Sequence, residues 1–203
     1  MSRNALALSL VAATTIAFGT STSGAGAGPS RADAESLRKK ITGIVQVGSV
    51  PPTRQQRRTM LTENEVNAYL TFDAVDQIPT GVIEPAITIA GGGRVSARAV
   101  VDLDAVRKQN SQRSLLDPMN FLSGRLPVTA IGMVKASGGV GRVEFESAAI
   151  GPIPVPKLIL QEIVSYYSRS AERPAGIGLD DSYALPARIR EIQFEPGRAI
   201  IVQ

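Results

Sequence analysis

The chain has 203 residues, a net charge of +4 at neutral pH, and no histidine, cysteine or tryptophan. These absences exclude zinc sites built on Cys or His, thiolate nucleophiles, disulfides, Cys-ligated iron–sulfur clusters and Ser-His-Asp catalysis. We therefore expect a protein without a cofactor, whose stability comes from its apolar core.

The first 27 residues have the order of a secretory signal peptide. Arg3 supplies positive charge, residues 5–18 form an uncharged and mostly apolar run, and Ala25-Gly26-Ala27 fits an A-x-A cleavage site. The apolar run is shorter than the roughly 20 residues that span a bilayer. We expect export to the periplasm or the extracellular space. The predicted divisions are a signal peptide over 1–27, an N-terminal helix and linker over 28–60, and a single domain over 61–203.

Two helices are predicted in the N-terminal part of the mature chain. Residues 32–45 place apolar side chains at helical spacing. Thr62 and Glu65 form a capping box, which predicts a second helix over residues 63–70. The polar residues 54–58 between them are expected to form a loop or a helical turn.

Beyond Val82 the apolar residues alternate with polar ones, which is typical of β-strands. In the strand over 142–149, alternation places residues 143, 145, 147 and 149 on one face. Residues 105–125 are expected to form a loop or a short helix. The predicted strands after the first are residues 95–103, 126–136, 142–149, 189–195 and 198–202, the last two forming a hairpin.

Prolines at 152, 154 and 156 end the predicted sheet and precede a helix over residues 157–169. That helix has a wide apolar surface, so it is either deeply packed or faces an apolar ligand. The predicted fold class is α+β. It has a curved antiparallel meander sheet of about six strands, packed on this long helix of the C-terminal half, with further helices N-terminal to the sheet.

Carboxylate pairs and one serine–lysine motif are the candidates for catalysis. Paired carboxylates can divide acid and base roles in glycoside hydrolysis, or bind Ca²⁺. The pairs on strands lie opposite the apolar face, so a solvated surface is the expected interpretation. Ser36 and Lys39 match the S-x-x-K motif of penicillin-binding proteins, without its S-D-N and K-T-G partners. We expect no enzymatic activity. The three pairs are Asp102–Asp104, Glu144–Glu146 and Asp180–Asp181.

Small side chains recur on the predicted strands, opposite the wide apolar surface of the helix over 157–169. Either the helix packs closely on the sheet, or a dry space remains that accepts a lipid chain. The candidate lining residues are Val95, Ala97, Ala99, Val101, Val128, Ala130, Leu158, Ile159, Ile163 and Tyr166.

Arg54, Arg57 and Arg58 form a basic cluster. Aromatic residues are scarce, which argues against nucleic acid as a partner. Contact with an anionic phospholipid surface is the functional interpretation of these arginines, and a solvated basic surface is the alternative.

Three stretches carry a resemblance to a known family. Residues 61–70, Leu-Thr-Glu-Asn-Glu-Val-Asn-Ala-Tyr-Leu, are similar to an [LF]-[ST]-E-x-E-[LVI]-N opening; the others are residues 151–156 and the ending from Tyr183 to Gln203. They resemble bacterial exported proteins with a TULIP-like (tubular lipid-binding) single-module fold. The resemblance implies a helix along a strongly curved sheet and a groove that carries lipid. Full tubular proteins of that family often use two or more modules or dimerise, so a homodimer is a candidate assembly.

Two functions follow. The first is an exported non-enzymatic protein that binds a lipid or another apolar ligand between sheet and helix. The alternative is an exported structural or adaptor domain with a closed core, which acts through protein–protein contacts.

Overall fold

The computed structural model describes residues 28–51, 55–105, 124–169 and 173–203. The predicted signal peptide, Arg54 and most of the predicted loop over 105–125 lie outside these ranges. The described helices are α1 (Arg31–Ser49), α2 (Glu63–Phe72) and α3 (Lys157–Tyr167), with a 3₁₀ turn over Val75–Gln77. The described strands are β1 (Arg58–Thr62), β2 (Val82–Gly91), β3 (Arg94–Asp102), β4 (Arg125–Ser137), β5 (Val140–Ile150), β6 (Ile153–Pro154), β7 (Ser182–Ala184), β8 (Glu191–Glu195) and β9 (Arg198–Val202).

The strands form two sheets, and their pairings are antiparallel. The larger sheet has the order β2-β3-β4-β5-β6, with β7 also pairing with β5. The smaller sheet has the order β1-β9-β8. The predicted α+β class with an antiparallel sheet of about six strands is confirmed. The final hairpin, however, pairs with the unpredicted strand β1 in a sheet of its own, and does not extend the larger sheet.

Local signals explain where the first two helices begin. Ser30 caps α1 by accepting a hydrogen bond from the Asp33 N–H at 3.1 Å. The predicted capping box of α2 is confirmed. Thr62 Oγ1 accepts from the Glu65 N–H at 3.2 Å, and Glu65 Oε2 accepts from the Thr62 N–H at 2.8 Å.

The main core lies between the two N-terminal helices, the smaller sheet and one end of the larger sheet. Apolar faces of all four regions meet there, which removes their side chains from water. Among the described side chains, α3 contributes none to this cluster, and the strand that α3 mainly contacts is β5. The buried members are Leu37, Ile44, Leu61, Val66, Leu70, Ala74, Ile87, Ile89, Val95, Ile189, Ala199 and Ile201.

The two sheets are joined through the edge of β8. The Gly92 N–H, in the turn between β2 and β3, donates to the Phe194 carbonyl at 3.1 Å. The Gly139 N–H, in the turn between β4 and β5, donates to the Arg190 carbonyl at 2.9 Å. Two hairpin turns of the larger sheet thus satisfy backbone groups on an edge that would otherwise be open.

A bulge in β5 corrects the predicted alternation over residues 142–149. Ile131 pairs with Ser147, whereas the next residue, Gly132, pairs with Phe145, so Glu146 is an extra residue in β5. Beyond the bulge the faces exchange. Ala148 therefore lies on the face that carries Phe145, and Ser147 lies on the opposite face.

Candidate functional site

The register of the larger sheet places five of the predicted lining residues, Ala97, Ala99, Val101, Val128 and Ala130, side by side on one face. Directly paired residues point to the same side of a sheet. Ala97 pairs with Ala130, and Ala99 pairs with Val128. Val128 also pairs with Ile150, and Ile150 pairs with Ile153. One apolar row that begins at Ala99 therefore crosses four strands. A four-strand row spans about 14 Å, given strand spacings of about 4.8 Å.

We call the half of this face that lies away from the core the outer apolar face. It has two rows: Ala99 with Val128, Ile150 and Ile153, and Val101 with Val82 and Leu126. Its residues are half-buried, except for Ile153, which is 65% exposed. No described residue of β2 pairs with Ala99, because the β2 register shifts between Ile83 and Ala86. The outer apolar face is therefore Val82, Ala99, Val101, Leu126, Val128, Ile150 and Ile153.

The other half of the face is closed. Val95 is buried in the core cluster, and Ala97 packs against that cluster. Ala130 lies in the next row with buried Ala148. Val95 thus belongs to a packed core in the described structure, whereas Ala99, Val101 and Val128 lie on the outer apolar face.

Helix α3 begins three residues after β6, so it starts beside the outer apolar face. Leu158 is 72% exposed and Ile159 is 50% exposed. Ile163 and Tyr166 also belong to α3, but their side chains lie outside the described part of the structure.

The polar side of α3 is held by the segment 173–181. Gln161 Oε1 accepts from the Leu179 N–H, and Ser168 Oγ accepts from the Ile177 N–H, both at 2.7 Å. A Cβ at Gly176 would lie 2.0 Å from the Ser165 carbonyl oxygen, so only glycine permits this approach. These contacts fix α3 from one side.

The arginines predicted to contact a membrane are only partly described. Arg57 and Arg58 are exposed, and Arg54 lies outside the described residues. Arg57 Nη2 lies 3.8 Å from the position that a Cβ on Gly43 of α1 would take. Arg58 Nη2 donates to Gln193 Oε1 at 2.6 Å.

The carboxylate pairs on the strands are occupied by cations and backbone groups. A hydrogen bond from Lys135 and the charges of Lys135 and Arg142 hold the pKa of Glu144 below its ordinary value. The Ala105 N–H, with help from Arg125, lowers the pKa of Asp102. A general acid in glycoside hydrolysis needs a raised pKa, so both shifts have the wrong direction for that role.

The third pair is also engaged. Lys157 Nζ lies 2.8 Å from Asp180 Oδ1, and the Gly178 N–H donates to Asp181 Oδ2 at 2.6 Å. In the described ranges, no three His, Cys, Asp or Glu side chains gather as ligands for a metal ion.

The S-x-x-K match does not form a serine–lysine pair. Lys39 binds Glu35 at 2.9 Å on the exposed side of α1. Ser36 Oγ instead donates to Glu65 Oε1 at 2.6 Å, and Lys40 Nζ binds the same carboxylate at 2.6 Å. A lysine that activates a serine must be neutral, whereas Lys40 shares an ion pair with a buried carboxylate.

The motif over residues 61–67 has structural roles at every position but Asn64. Leu61 and Val66 lie in the core, and Thr62 caps α2. Glu63 Oε2 accepts from the Ile89 N–H at 2.7 Å. Asn67 binds both backbone groups of Ile87, accepting at 2.6 Å and donating at 2.8 Å. Glu63 and Asn67 thus seal the free edge of β2 as a neighbouring strand would.

Sequence reasoning missed Val82, Leu126, Ile150 and Ile153 as members of the apolar face. Ile150 was hidden by the bulge at Glu146, which reverses the faces of β5. Ile153 lies between two prolines, and only the pairing of Ile153 with Ile150 and of Pro154 with Ala149 shows that Ile153–Pro154 is a strand. The proline spacing, which leaves one β-branched residue between prolines, was the one available signal for an edge strand.

The outer apolar face and the exposed start of α3 are the strongest candidate site of the described structure. Comparisons with protein-family models, with curated proteins and with solved structures found no match. Among the described helices, none combines the length and the apolarity that crossing a membrane requires.

Proposed function

We propose that this protein binds an apolar ligand, a lipid acyl chain, on the outer apolar face beside α3. One observation carries the proposal. The register aligns Ala99, Val128, Ile150 and Ile153 in an apolar row, and its last residue, Ile153, precedes the exposed Leu158 and Ile159 by five and six positions along the chain. Isolated exposed apolar residues are ordinary, but a contiguous apolar surface indicates a binding site.

The energy needed is modest. Burial of an acyl chain contributes about 0.8 kcal/mol per methylene group. A micromolar dissociation constant corresponds to about 8 kcal/mol, so enclosure of about ten methylene groups is sufficient. Ala99 in the outer row leaves room for such a chain, because its side chain projects little from the sheet. Binding of this kind requires no catalytic residue and no cofactor, and handover of the ligand is passive.

We also propose that the protein is exported, with cleavage after Ala27 and a site of action in the periplasm or outside the cell. The order of charged, apolar and small residues over 1–27 supports this. N-terminal sequencing of the protein recovered outside the cytoplasm tests it, and the expected first residue is Gly28. A chain that still begins at Met1 there contradicts cleavage.

Native mass spectrometry tests the binding proposal. The chain purified without detergent is expected to carry about one lipid per chain or per dimer, which solvent extraction then identifies. The delipidated protein is next titrated with a fluorescent fatty acid. Ala99→Phe, which fills the middle of the outer row, should weaken fatty-acid binding at least about tenfold, since it excludes several methylene groups.

Thr88→Phe is the matched control, because Thr88 is exposed on the opposite face of the same sheet. It should leave the affinity unchanged. Equal losses in both variants, or a wild-type chain that stays free of lipid after incubation with an envelope lipid extract, contradict the proposal.

The second candidate is an adaptor domain that acts through a protein partner. The closed half of the sheet, where Val95 and Ile87 are buried in the core, favours it. In that case the exposed Leu158 and Ile159 contact the partner. The two candidates differ in one readout, because only the first gives saturable binding of a fatty acid by the isolated chain.

A further inference from the structure

The backbone positions of four arginines lie at one end of the smaller sheet, although two of them are about 130 positions along the chain from the others. The Arg57 N–H donates to the Gln203 carbonyl at 3.1 Å, and the Gln203 N–H donates to the Arg57 carbonyl at 2.9 Å. The Arg190 N–H donates to the Val202 carbonyl at 2.8 Å. Arg57 and Arg190 thus flank the end of β9. We call Arg57, Arg58, Arg188 and Arg190 the arginine end.

The backbone that carries Arg188 is held in an unfavourable conformation. Ala187 and Arg188 have φ values of 52° and 56°, in the left-handed region that residues with a Cβ rarely adopt. Gln203 Nε2 donates to the Ala187 carbonyl at 2.6 Å, which fixes this turn. A Cβ at Gly48 of α1 would lie 2.5 Å from the Ala187 Cα, so the turn also packs tightly against α1. The Arg188 guanidinium donates to the Val50 carbonyl at the end of α1.

Within the described part of the chain, no ion pair involves the arginine end. All four arginines are exposed. Glu191 follows Arg190, but its Oε1 accepts from Gln193 Nε2 at 3.0 Å. The larger sheet differs, because its Arg94, Lys135 and Arg142 all pair with glutamates.

Exposed apolar side chains accompany these arginines. Val50, whose carbonyl binds Arg188, is 52% exposed, and Val45 on the last turns of α1 is exposed as well. Met60 is exposed two residues after Arg58. Cations beside protruding apolar side chains suit a membrane interface, where phosphates lie next to the acyl boundary.

We propose that the arginine end docks the protein on a bilayer that contains anionic phospholipids. This surface shares no residue with the outer apolar face, and the proposal goes beyond ligand binding because it assigns a membrane partner. The exposed, spread-out arginines and their apolar neighbours favour a lipid surface over a single free phosphate, which a compact and enclosed site would hold.

Flotation of the mature chain with vesicles tests the proposal. One set of vesicles contains phosphatidylcholine alone. The other set also contains about 30% phosphatidylglycerol, which supplies the anionic headgroups. The wild type should bind only the anionic vesicles, and binding should weaken as salt screens the charges. R57Q/R190Q should lower the partition coefficient roughly 30-fold, since each basic residue near such a surface contributes about fivefold.

Two further variants separate a local effect from net charge and from misfolding. R98Q/R142Q makes the same change in charge on the larger sheet, at two exposed arginines, and should reduce binding less than about twofold. R57K/R190K keeps the charge and should bind like the wild type. Acyl-chain occupancy by native mass spectrometry should be unchanged in all three, so failure of docking and failure of ligand binding are told apart.

Equal binding to neutral and anionic vesicles overturns the proposal, as does an equal loss in R98Q/R142Q. Competition gives a third arm. Inorganic phosphate at about 10 mM is enough to occupy a weak phosphate site. If it abolishes binding to the anionic vesicles at constant ionic strength, the arginines form a free-phosphate site and the docking proposal is wrong.

Discussion

The two halves of the apolar face of the larger sheet are built from the same strands and similar side chains, yet they differ in what covers them. In the inner half, Ile87, Ile89 and Val95 are buried against α1, α2 and the smaller sheet. In the outer half, Ala99, Val128 and their neighbours stay half-buried. The difference shows that strand alternation identifies an apolar face but not which other elements pack against it.

The length of α2 explains where the cover ends. A helix of 10 residues is about 15 Å long, whereas the 13 residues of β4 extend over about 44 Å. The α2 side chains Glu63 and Asn67 bind β2 at Ile89 and Ile87 only. Beyond that point β2 contains Pro85 and a register shift, which end regular contact.

The largest expected effect compares equal truncations in the two halves. Ile87→Ala should lower the free energy of unfolding by about 3 kcal/mol, because Ile87 is 3% exposed and its removal leaves a cavity. Ile150→Ala should cost about 1 kcal/mol, because solvent already reaches that side chain. Urea unfolding of both variants measures the difference. Equal losses would show that the outer half is as closely packed as the inner half.

The next effect concerns the seal on the β2 edge. Asn67→Ala removes two hydrogen bonds and leaves both backbone groups of Ile87 without these partners, so we expect a loss of about 2 kcal/mol. Asn64 is exposed on the same helix, and Asn64→Ala should change the stability by less than about 0.5 kcal/mol. Faster hydrogen exchange at Ile87 in the Asn67 variant alone would locate the effect at the edge.

A smaller effect is the pH dependence of the contact between α1 and α2. Burial of the Glu65 carboxylate acts to raise its pKa. Hydrogen bonds from Lys40, Ser36 and the Thr62 N–H together outweigh burial and hold the pKa of Glu65 below its ordinary value of 4.5. A carboxylate with a lowered pKa contributes stability above its unfolded-state value, and that contribution is lost as the pH falls through the lowered value.

The matched variant is Glu65→Gln. Between pH 7 and pH 3 the wild type should lose about 1 kcal/mol more stability than this variant, because the variant has no charge to titrate at that position. Thermal unfolding at several pH values measures the difference. Parallel pH profiles for the two proteins would rule out Glu65 as the titrating group.

Much of this comparison could be predicted from the sequence, and the rest depends on contacts distant along the chain. The capping box at Thr62 and the alternation over residues 95–101 are local signals, so the start of α2 and the apolar face of β3 were predicted correctly. The strand Arg58–Thr62 was missed because its polar and apolar side chains do not alternate regularly. Its partner, β9, also lies at the far end of the chain. The placement of Arg57 and Arg190 on the two sides of the end of β9 was missed for the same reason.

The smallest expected effect is at the start of α3. Leu158 is 72% exposed, so Leu158→Ser removes little buried surface and should change the free energy of unfolding by less than about 0.5 kcal/mol. Leu70 on α2 is buried in the core, and Leu70→Ser should cost about 3 kcal/mol or more, because it creates a cavity and buries a hydroxyl. A small stability change at Leu158 with weakened fatty-acid binding would place α3 beside the ligand, as proposed. A large loss of stability there would instead mean that α3 is packed in the folded chain and that the outer half is closed.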